Sequence, residues 1–170
     1  MDFLELAKGR YSCRKFSDRK VEPEKIEKII ESAICAPTAV NKQPYKIWLV
    51  ESEEAKANMA EVTRFTFDAP VFMIVGCDAE AAWVRKYDER NFADVDGAIV
   101  GTQMMLEIRD LGLDTTWVGH FNAPKLKEIY PQMANYDLIA IFPIGYAAEE
   151  AHPAHLHFER REREEVVETL

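Results

Sequence analysis

The chain has 170 residues, 48% hydrophobic and 30% charged, a composition that is typical of a globular domain and excludes a disordered chain. Its net charge of −9 argues against a general attraction to nucleic acid or an anionic membrane, so any anion that binds needs a local site. The three cysteines form no C-x-x-C pair, and no signal peptide or membrane-spanning apolar run is predicted. We therefore expect one domain over residues 1–170, located in the cytoplasm.

The N-terminal part predicts two helices joined by an extended segment. Residues 2–8 predict a short helix that stops at Gly9, and residues 24–35 predict a second helix with one apolar face. Between them lies "RYSCRKF" (10–16). In extended backbone, side chains two residues apart share a side, so Arg10, Ser12 and Arg14 would project together while Tyr11 and Cys13 pack opposite. That face suits a phosphate, and it equally suits a solvated strand edge.

The segment "APTAVNKQPY" (36–45) predicts a loop between a helix and a strand. Asn41 and Gln43 each offer an amide acceptor and two amide donors, a set that matches the alternating C=O and N–H groups of an aromatic heterocycle. Flanking prolines would hold the loop in place. A turn that simply carries polar residues is the alternative interpretation.

The rest of the chain alternates irregularly between strands and helices, which favours an α+β fold with a sheet flanked by helices. The helix over 94–111 is apolar around most of its circumference, so we expect it to be buried in a core or against a second subunit. The predicted strands are 46–51, 69–77, 115–121 and 138–146, and the predicted helices are 53–65, 94–111 and one that begins at Pro124.

Three further segments each carry two interpretations. In "TTWVGHFN" (115–122), Gly119 permits close approach to a ligand or marks a strand bulge, and His120 either titrates near neutrality or is simply packed or exposed. The tail "HFERREREEVVETL" carries i,i+4 charge pairs of a solvated helix, or it supplies Arg160 or Arg161 to an anion. The segment 83–96 is either a mobile cover over a pocket or an ordinary connection.

Common catalytic and phosphate-binding motifs are missing from the sequence. It contains no G-x-G-x-x-G after a strand, no G-x-x-x-x-G-K-S/T, no G-x-S-x-G and no H-E-x-x-H. The histidines of "HPAHLH" (152–157) have no carboxylate or thiolate partner at a recognised spacing, so no metal site is predicted.

Taken in order, these motifs resemble those of the nitroreductase family of FMN-dependent oxidoreductases. The family pattern includes Arg-x-Ser-x-Arg at residues 10–14 and Ala-Pro-Ser/Thr-x-x-Asn-x-Gln-Pro at residues 36–44. A Leu-Gly-Leu at 111–113, a Trp-Ile-Gly-Gly-Phe-like stretch at 117–121 and a Pro-x-Gly-Tyr at 143–146 follow, before a basic tail. The resemblance covers nearly the whole chain.

The resemblance implies a mixed β-sheet flanked by helices, in an intertwined homodimer with two FMN sites between the subunits. It implies that Arg10, Ser12 and Arg14 bind the phosphate and ribityl chain of FMN, and that Arg160 or Arg161 from the tail completes this binding site. It implies that Thr38, Asn41 and Gln43 belong to a loop that contacts the flavin, in this family often across the dimer interface. The backbone of Gly119 and His120 would face flavin N5. The full set of implied cofactor-binding residues adds Tyr11, Pro37, Trp117 and Val118 to these.

The implied activity is hydride transfer from NAD(P)H through FMN to a nitroaromatic, quinone or related acceptor, in a ping-pong cycle. The flavin would perform the chemistry, so no catalytic side chain is predicted. Reductive dehalogenation, flavin fragmentation and non-catalytic flavin binding are the alternatives on the same fold. One departure from the family pattern is His120, which stands where a second glycine is common.

Overall fold

A four-stranded sheet with helices on both faces forms the centre of the computed structural model, which describes residues 2–170. The first half of the chain contains α1 (Phe3–Gly9), α2 (Pro23–Ile34), β1 (Tyr45–Val50), α3 (Glu53–Val62) and β2 (Val71–Cys77). The second half contains β3 (Val84–Arg85), β4 (Arg90–Asn91), α4 (Ala93–Asp110), β5 (Asp114–Thr115), α5 (Ala123–Ile129), β6 (Asp137–Gly145) and α6 (Arg163–Val166). The α+β class predicted from the sequence is therefore confirmed.

The sheet has the order β1-β2-β6-β5, and each of these neighbouring strands pairs antiparallel. A parallel bridge between Ser12 and Thr115 adds the segment 10–16 to the edge at β5, which makes the sheet mixed, as predicted. The backbone N–H of Cys13 donates to the Thr115 carbonyl over 3.0 Å. The extended segment therefore takes its position from the sheet.

Two apolar cores lie on the two faces of the sheet because successive strand residues point to opposite sides. Met73 and Phe142 face the core that α2 and α4 cover, while Ile74 and Ile141 face the core that α3 and α5 cover. All seven residues of β2 are buried, which explains why its sequence is continuously apolar instead of alternating.

The long helix α4 packs one face on the sheet and leaves a second apolar face half-buried. Val100, Met104 and Ile108 are fully buried. On the other side, a groove of about 550 Å³ runs along the helix past Pro37. Its half-buried apolar lining consists of Val95, Ala98, Ile99 and Leu106. This arrangement explains the all-round apolar pattern of the helix.

The structure corrects three predicted elements. In the predicted strand 115–121, only Thr115 belongs to a strand, and Val118 makes a single bridge to Ile141. The predicted helix 53–65 ends at Val62, because Thr63 adopts extended backbone. The predicted tail helix shortens to α6, although the Arg161–Glu165 pair does form, at 3.0 Å.

The segment 83–96 contains a two-stranded hairpin formed by β3 and β4, followed by the start of α4. Trp83 and Phe92 stack edge-to-face at the base of the hairpin, with ring centroids 5.0 Å apart. No helix among residues 2–170 combines the length and apolar character needed to cross a bilayer.

Candidate functional site

The face of Arg10, Ser12 and Arg14 opens onto a cavity of about 250 Å³, which we call the arginine cavity. Its opposite wall comes from the tail, which contributes Ala154, Leu156, His157 and Arg160. Three guanidiniums and a hydroxyl from distant parts of the chain therefore meet at one place. The one-sided projection predicted for Arg10, Ser12 and Arg14 is confirmed.

These three guanidiniums are not neutralised by neighbouring carboxylates. The ion pairs found among residues 2–170 involve none of Arg10, Arg14 and Arg160. Arg14 donates only to the Ser12 carbonyl, at 3.2 Å, and Arg160 donates to the carbonyls of His157 and Glu159. In a chain of net charge −9, this cavity is a local concentration of positive charge.

The structure distinguishes the two candidate tail arginines. The guanidinium of Arg161 donates to a carboxylate oxygen and to the backbone carbonyl of Glu165, each over 3.0 Å. Arg160 instead lines the arginine cavity, and its hydrogen bond to the His157 carbonyl, over 2.6 Å, fixes the turn that carries it. The geometry therefore favours Arg160 for binding an anion.

Tyr11 and Cys13 point away from the cavity and anchor the segment from behind. Both side chains are buried, and burial raises the pKa of each. The nearby Arg109 guanidinium lies over the Tyr11 ring at 5.9 Å and pairs with Asp114 at 2.8 Å. Burial raises the pKa of the Asp114 carboxyl, and Arg109 opposes that increase. The side chain of Tyr11 therefore has a packing role.

A second cavity, of about 170 Å³, adjoins the first at Arg14, and we call it the aromatic cavity. Phe65 and Phe67 form one of its sides, and their rings lie 6.0 Å apart. The His120 ring meets Phe65 edge-to-face at 5.8 Å. The rest of the lining is Thr116, Trp117, Val118 and Gly119. The cavity can therefore hold a flat, largely apolar group.

The stretch 117–120 is held in place by packing at its beginning and by a hydrogen bond at its end. Trp117 packs edge-to-face on Phe142 at 5.1 Å, and Val118 exchanges two hydrogen bonds of 3.0 Å with Ile141. The hydroxyl of Thr63 donates to the His120 carbonyl over 2.9 Å. Gly119 and His120 are exposed residues, and within residues 2–170 their N–H groups donate to no other backbone group, so both remain available as donors.

The loop 36–43 does not join these cavities within the chain. Of its predicted site residues, Pro37 lies at the α4 groove, and the linings described above for the two cavities do not include Thr38, Asn41 or Gln43. The backbone N–H of Gln43 donates to the Thr38 hydroxyl over 3.0 Å. The sequence correctly predicted a loop here, between a helix and a strand. Within one copy of the chain, however, Thr38, Asn41 and Gln43 are not part of the lining of the arginine cavity.

Several residues of the site were not anticipated from the sequence. Phe65 fell in the segment predicted as helix, and Phe67 lay just beyond it, in a stretch that was given no role. The two aromatic residues and the proline of "TRFTFDAP" (63–70) were the local sign of an irregular apolar segment. His157 was considered only for metal binding. Asp96 was not considered, although its buried carboxyl accepts a hydrogen bond from the Ala39 N–H over 2.9 Å.

Comparison with known proteins agrees with this fold. The chain matches the Nitroreductase family profile over residues 7–64 and 63–146. A nitroreductase family protein from Clostridium difficile 630 superposes with a TM-score of 0.91 at 36% identity, over 100% of both chains. A candidate NADH dehydrogenase/NAD(P)H nitroreductase of Methanothermobacter thermautotrophicus is 31% identical over 88% of this chain and 79% of its own length.

A protein from Exiguobacterium sibiricum 255-15, crystallised in complex with FMN, shares the fold with a TM-score of 0.86 at 22% identity, over 100% of this chain and 98% of its own. The chain therefore has the α+β fold of nitroreductase-like proteins. The chain belongs to the nitroreductase family, which confirms the resemblance identified in its motifs.

Proposed function

We propose that this protein is an FMN-dependent oxidoreductase that takes hydride from NAD(P)H and reduces nitroaromatic, quinone or related acceptors in a ping-pong cycle. One observation carries the proposal: Arg14 lines both the arginine cavity and the aromatic cavity. A ligand that joins a phosphate to a flat ring system requires two neighbouring sites of this kind.

The residues present fit a phosphate monoester. Arg10, Arg14 and Arg160 each offer a planar fork of N–H donors, and such forks bind phosphate oxygens in pairs. The Ser12 hydroxyl adds a neutral donor. Because these guanidiniums have no carboxylate partner among residues 2–170, an entering phosphate would not have to break an ion pair to bind them.

The stretch 117–120 would support the ring end of the ligand. The N–H groups of Gly119 and His120 can donate to an acceptor at the ring edge, while Phe65 and Phe67 exclude water on one side. When bound, FMN supplies the hydride-transfer chemistry, so the protein needs only to bind, orient and shield it.

A second copy of the chain would complete the site. The half-buried groove along α4 adjoins Pro37, where the loop 36–43 begins, so a subunit packed on this groove would also contact the loop. The amides of Asn41 and Gln43 could then reach the partner's cavity. The apolar lining of the groove, at Val95, Ala98 and Ile99, is consistent with burial in a homodimer.

An anaerobic titration with NADH and with NADPH, following the flavin absorbance, tests the activity. Bleaching by either nicotinamide, followed by recovery when a quinone or nitroaromatic is added, is the expected result. A protein that is colourless and does not reconstitute with FMN would contradict the proposal. Bound FMN that neither nicotinamide bleaches would indicate a non-catalytic flavin-binding protein, and product analysis under air would reveal dehalogenation or flavin fragmentation.

Sedimentation of variants tests the homodimer. Ile99→Glu places a charge in the α4 groove, so we expect it to yield monomers that retain FMN poorly. Leu49→Glu is the matched control, because Leu49 is an exposed leucine on the edge strand β1, away from the groove. Monomeric wild-type protein that binds FMN fully would exclude a shared site.

A further inference from the structure

The three histidines of the tail have different surroundings. His152 Nδ1 lies 2.9 Å from the Glu150 carbonyl, and His155 Nδ1 lies 2.7 Å from a carboxylate oxygen of Glu159, with the side chain of His155 89% exposed. His157 instead is half-buried and lines the arginine cavity. Of the three, it is the one that faces the proposed ligand.

The backbone holds His157 in this position. Its N–H donates to the Ala154 carbonyl over 2.9 Å in a 3-10 turn, and its carbonyl accepts from the Arg160 guanidinium over 2.6 Å. Its ring meets the Tyr11 ring edge-to-face at 6.4 Å and the Phe158 ring at 4.9 Å. The imidazole and the Arg160 guanidinium therefore belong to one rigid wall.

The charged groups around His157 are mostly cations. Arg10 and Arg14 face it from the N-terminal segment, and Arg160 faces it from the tail. The phenol of Tyr11 stays neutral because burial raises its pKa, and behind it Arg109 and Asp114 form a pair. On its own element, Glu159 pairs with His155.

These surroundings link the charge of the imidazole to the content of the cavity. Three guanidiniums line the same cavity as the imidazole. A bound phosphate monoester, which carries a charge of about −1.5 to −2 at pH 7, would cancel most of their positive charge. A neutral imidazole offers one N–H, whereas the protonated ring offers two donors and a full charge.

We propose that His157 is a further ligand of the phosphate-bearing cofactor and that it takes up a proton from solvent when the cofactor binds. The inference rests on the proposed function, since it concerns the same cavity. The bond from the proton to the ring nitrogen is the only covalent bond that forms, and the charge of the imidazole rises by one as the anion enters. The affinity for FMN is thereby linked to pH between about 5 and 8, the range in which histidine titrates.

The ligand has a titration of its own, which the experiment must separate. The second pKa of a phosphate monoester lies near about 6, so acidification removes ligand charge and weakens its attraction to the arginines. Protonation of His157 offsets that loss. The pH dependence of the wild type therefore has meaning only in comparison with a variant that lacks the imidazole.

The test titrates FMN-free full-length protein with FMN at about pH 5.5, 7 and 8.5, spanning the histidine range. For His157→Gln, we expect Kd to rise about tenfold at the lowest pH and about twofold at the highest, because only the charged donor is strong. The matched control His155→Gln changes the partner of Glu159 and should leave Kd unchanged. His157→Lys carries a permanent charge and should restore tight binding at high pH.

Calorimetry in two buffers of different ionisation enthalpy measures how many protons are taken up for each FMN that binds. Near neutral pH, the wild type and His155→Gln should take up more protons per FMN than His157→Gln does. Riboflavin, which lacks the phosphate, should bind equally to all variants. Thermal melts followed by circular dichroism confirm that each variant is folded.

Equal proton uptake and equal pH profiles for the wild type and His157→Gln would overturn the inference. Weakened riboflavin binding by His157→Gln would also overturn it, since His157 would then contact the ring and not the phosphate. If the wild type binds no FMN at any pH, the proposed function fails first and the inference falls with it. Those results are distinguishable from one another.

Discussion

The backbone N–H of Ala39 donates a hydrogen bond to Oδ1 of Asp96 over 2.9 Å, which ties the loop 36–43 to the first turns of α4. The loop needs such an anchor because Val40, Asn41 and Gln43 all have φ between 45° and 56°, in the left-handed region that costs non-glycine residues free energy. Asp96 is 1% exposed, and its Oδ2 has no partner among residues 2–170. The carboxyl therefore serves to hold the loop.

Replacing Asp96 should loosen this loop. Asp96→Ala removes the acceptor of a part-buried N–H, and we expect it to lower the free energy of unfolding by about 1–3 kcal/mol. Asp96→Asn keeps an oxygen that can accept the hydrogen bond from the Ala39 N–H, so it should lower the free energy of unfolding by less. Urea unfolding measures both variants. Equal losses would show that the hydrogen bond to Ala39 is not what stabilises the loop.

The arginines of the arginine cavity should differ from Arg161 in cofactor binding. Arg14→Ala and Arg160→Ala each remove a charged donor, so we expect each to raise Kd for FMN about 10- to 100-fold. Arg161→Ala removes a guanidinium already bound to Glu165 and should change Kd less than about twofold. Flavin fluorescence titration measures all three. Unchanged affinity in Arg14→Ala would refute the phosphate site.

Stability should fall in acid partly through Glu22. The hydrogen bond donated by Tyr146, with the backbone and Arg19 contributing, lowers the pKa of Glu22 from 4.5 to about 2. Because the folded pKa is the lower one, this stabilisation is present above 4.5 and is lost as the pH falls toward about 2. We expect the stability difference between wild type and Tyr146→Phe to shrink over that interval.

Urea unfolding at several pH values measures this difference, and a Glu22→Gln background supplies the control. In that background, Tyr146→Phe should have the same effect at every pH. Tyr146 also accepts a hydrogen bond from Lys25 over 2.9 Å, and loss of that contact adds a constant effect that does not vary with acid pH. If the effect of Tyr146→Phe is also independent of pH in the protein that retains Glu22, the hydrogen bond from Tyr146 does not lower the pKa of Glu22.

A methyl group at position 101 should displace Trp117. A Cβ on Gly101 would lie 2.7 Å from Cζ3 of Trp117 and 2.8 Å from Cζ of Phe142, closer than real atoms approach. We expect Gly101→Ala to cost about 1–3 kcal/mol of stability and to weaken FMN binding by shifting the stretch 117–120. Gly9→Ala is the control, because nothing lies within 4 Å of its added Cβ. Tryptophan fluorescence and urea unfolding report the two effects.

One of the three thiols should react in the folded protein. Cys13 and Cys77 are buried, and burial raises the pKa of Cys77 to about 12, whereas Cys35 is exposed. A thiol reagent should therefore label Cys35 alone until the protein unfolds, and then label all three. Cys35→Ser should show no labelling in the native state. Rapid labelling of Cys13 would indicate that the segment 10–16 detaches from the sheet.

Local sequence was sufficient where a pattern depends on backbone periodicity. The alternation of "RYSCRKF" correctly put Arg10, Ser12 and Arg14 on one side, with Cys13 buried opposite. The continuous apolar run of β2 and the apolar residues around the circumference of α4 likewise indicated that these elements are buried. These features follow from geometry that the chain carries within a few residues.

Predictions failed where an element depends on what lies beside it. The stretch 115–121 has strand-forming residues, but after Thr115 it meets β6 only at Val118, because Trp117 turns to pack on Phe142. Phe65 was assigned to a helix because nothing local shows that the Thr63 hydroxyl would bond to the His120 carbonyl. Thr63 and His120 are 57 positions apart in the chain, and Trp117 lies outside the strand that contains Phe142.

The sequence by itself determined the fold class, the family and the N-terminal residues that line the arginine cavity, because these depend on composition, periodicity and ordered motifs. Tertiary structure decided that Arg160 and not Arg161 faces the cavity, that Asp96 holds the loop 36–43, and that His157 joins the arginines. The physical reason is that charge and hydrogen bonding act over a few ångströms in space. Which groups come that close is settled only when the sheet brings both ends of the chain together.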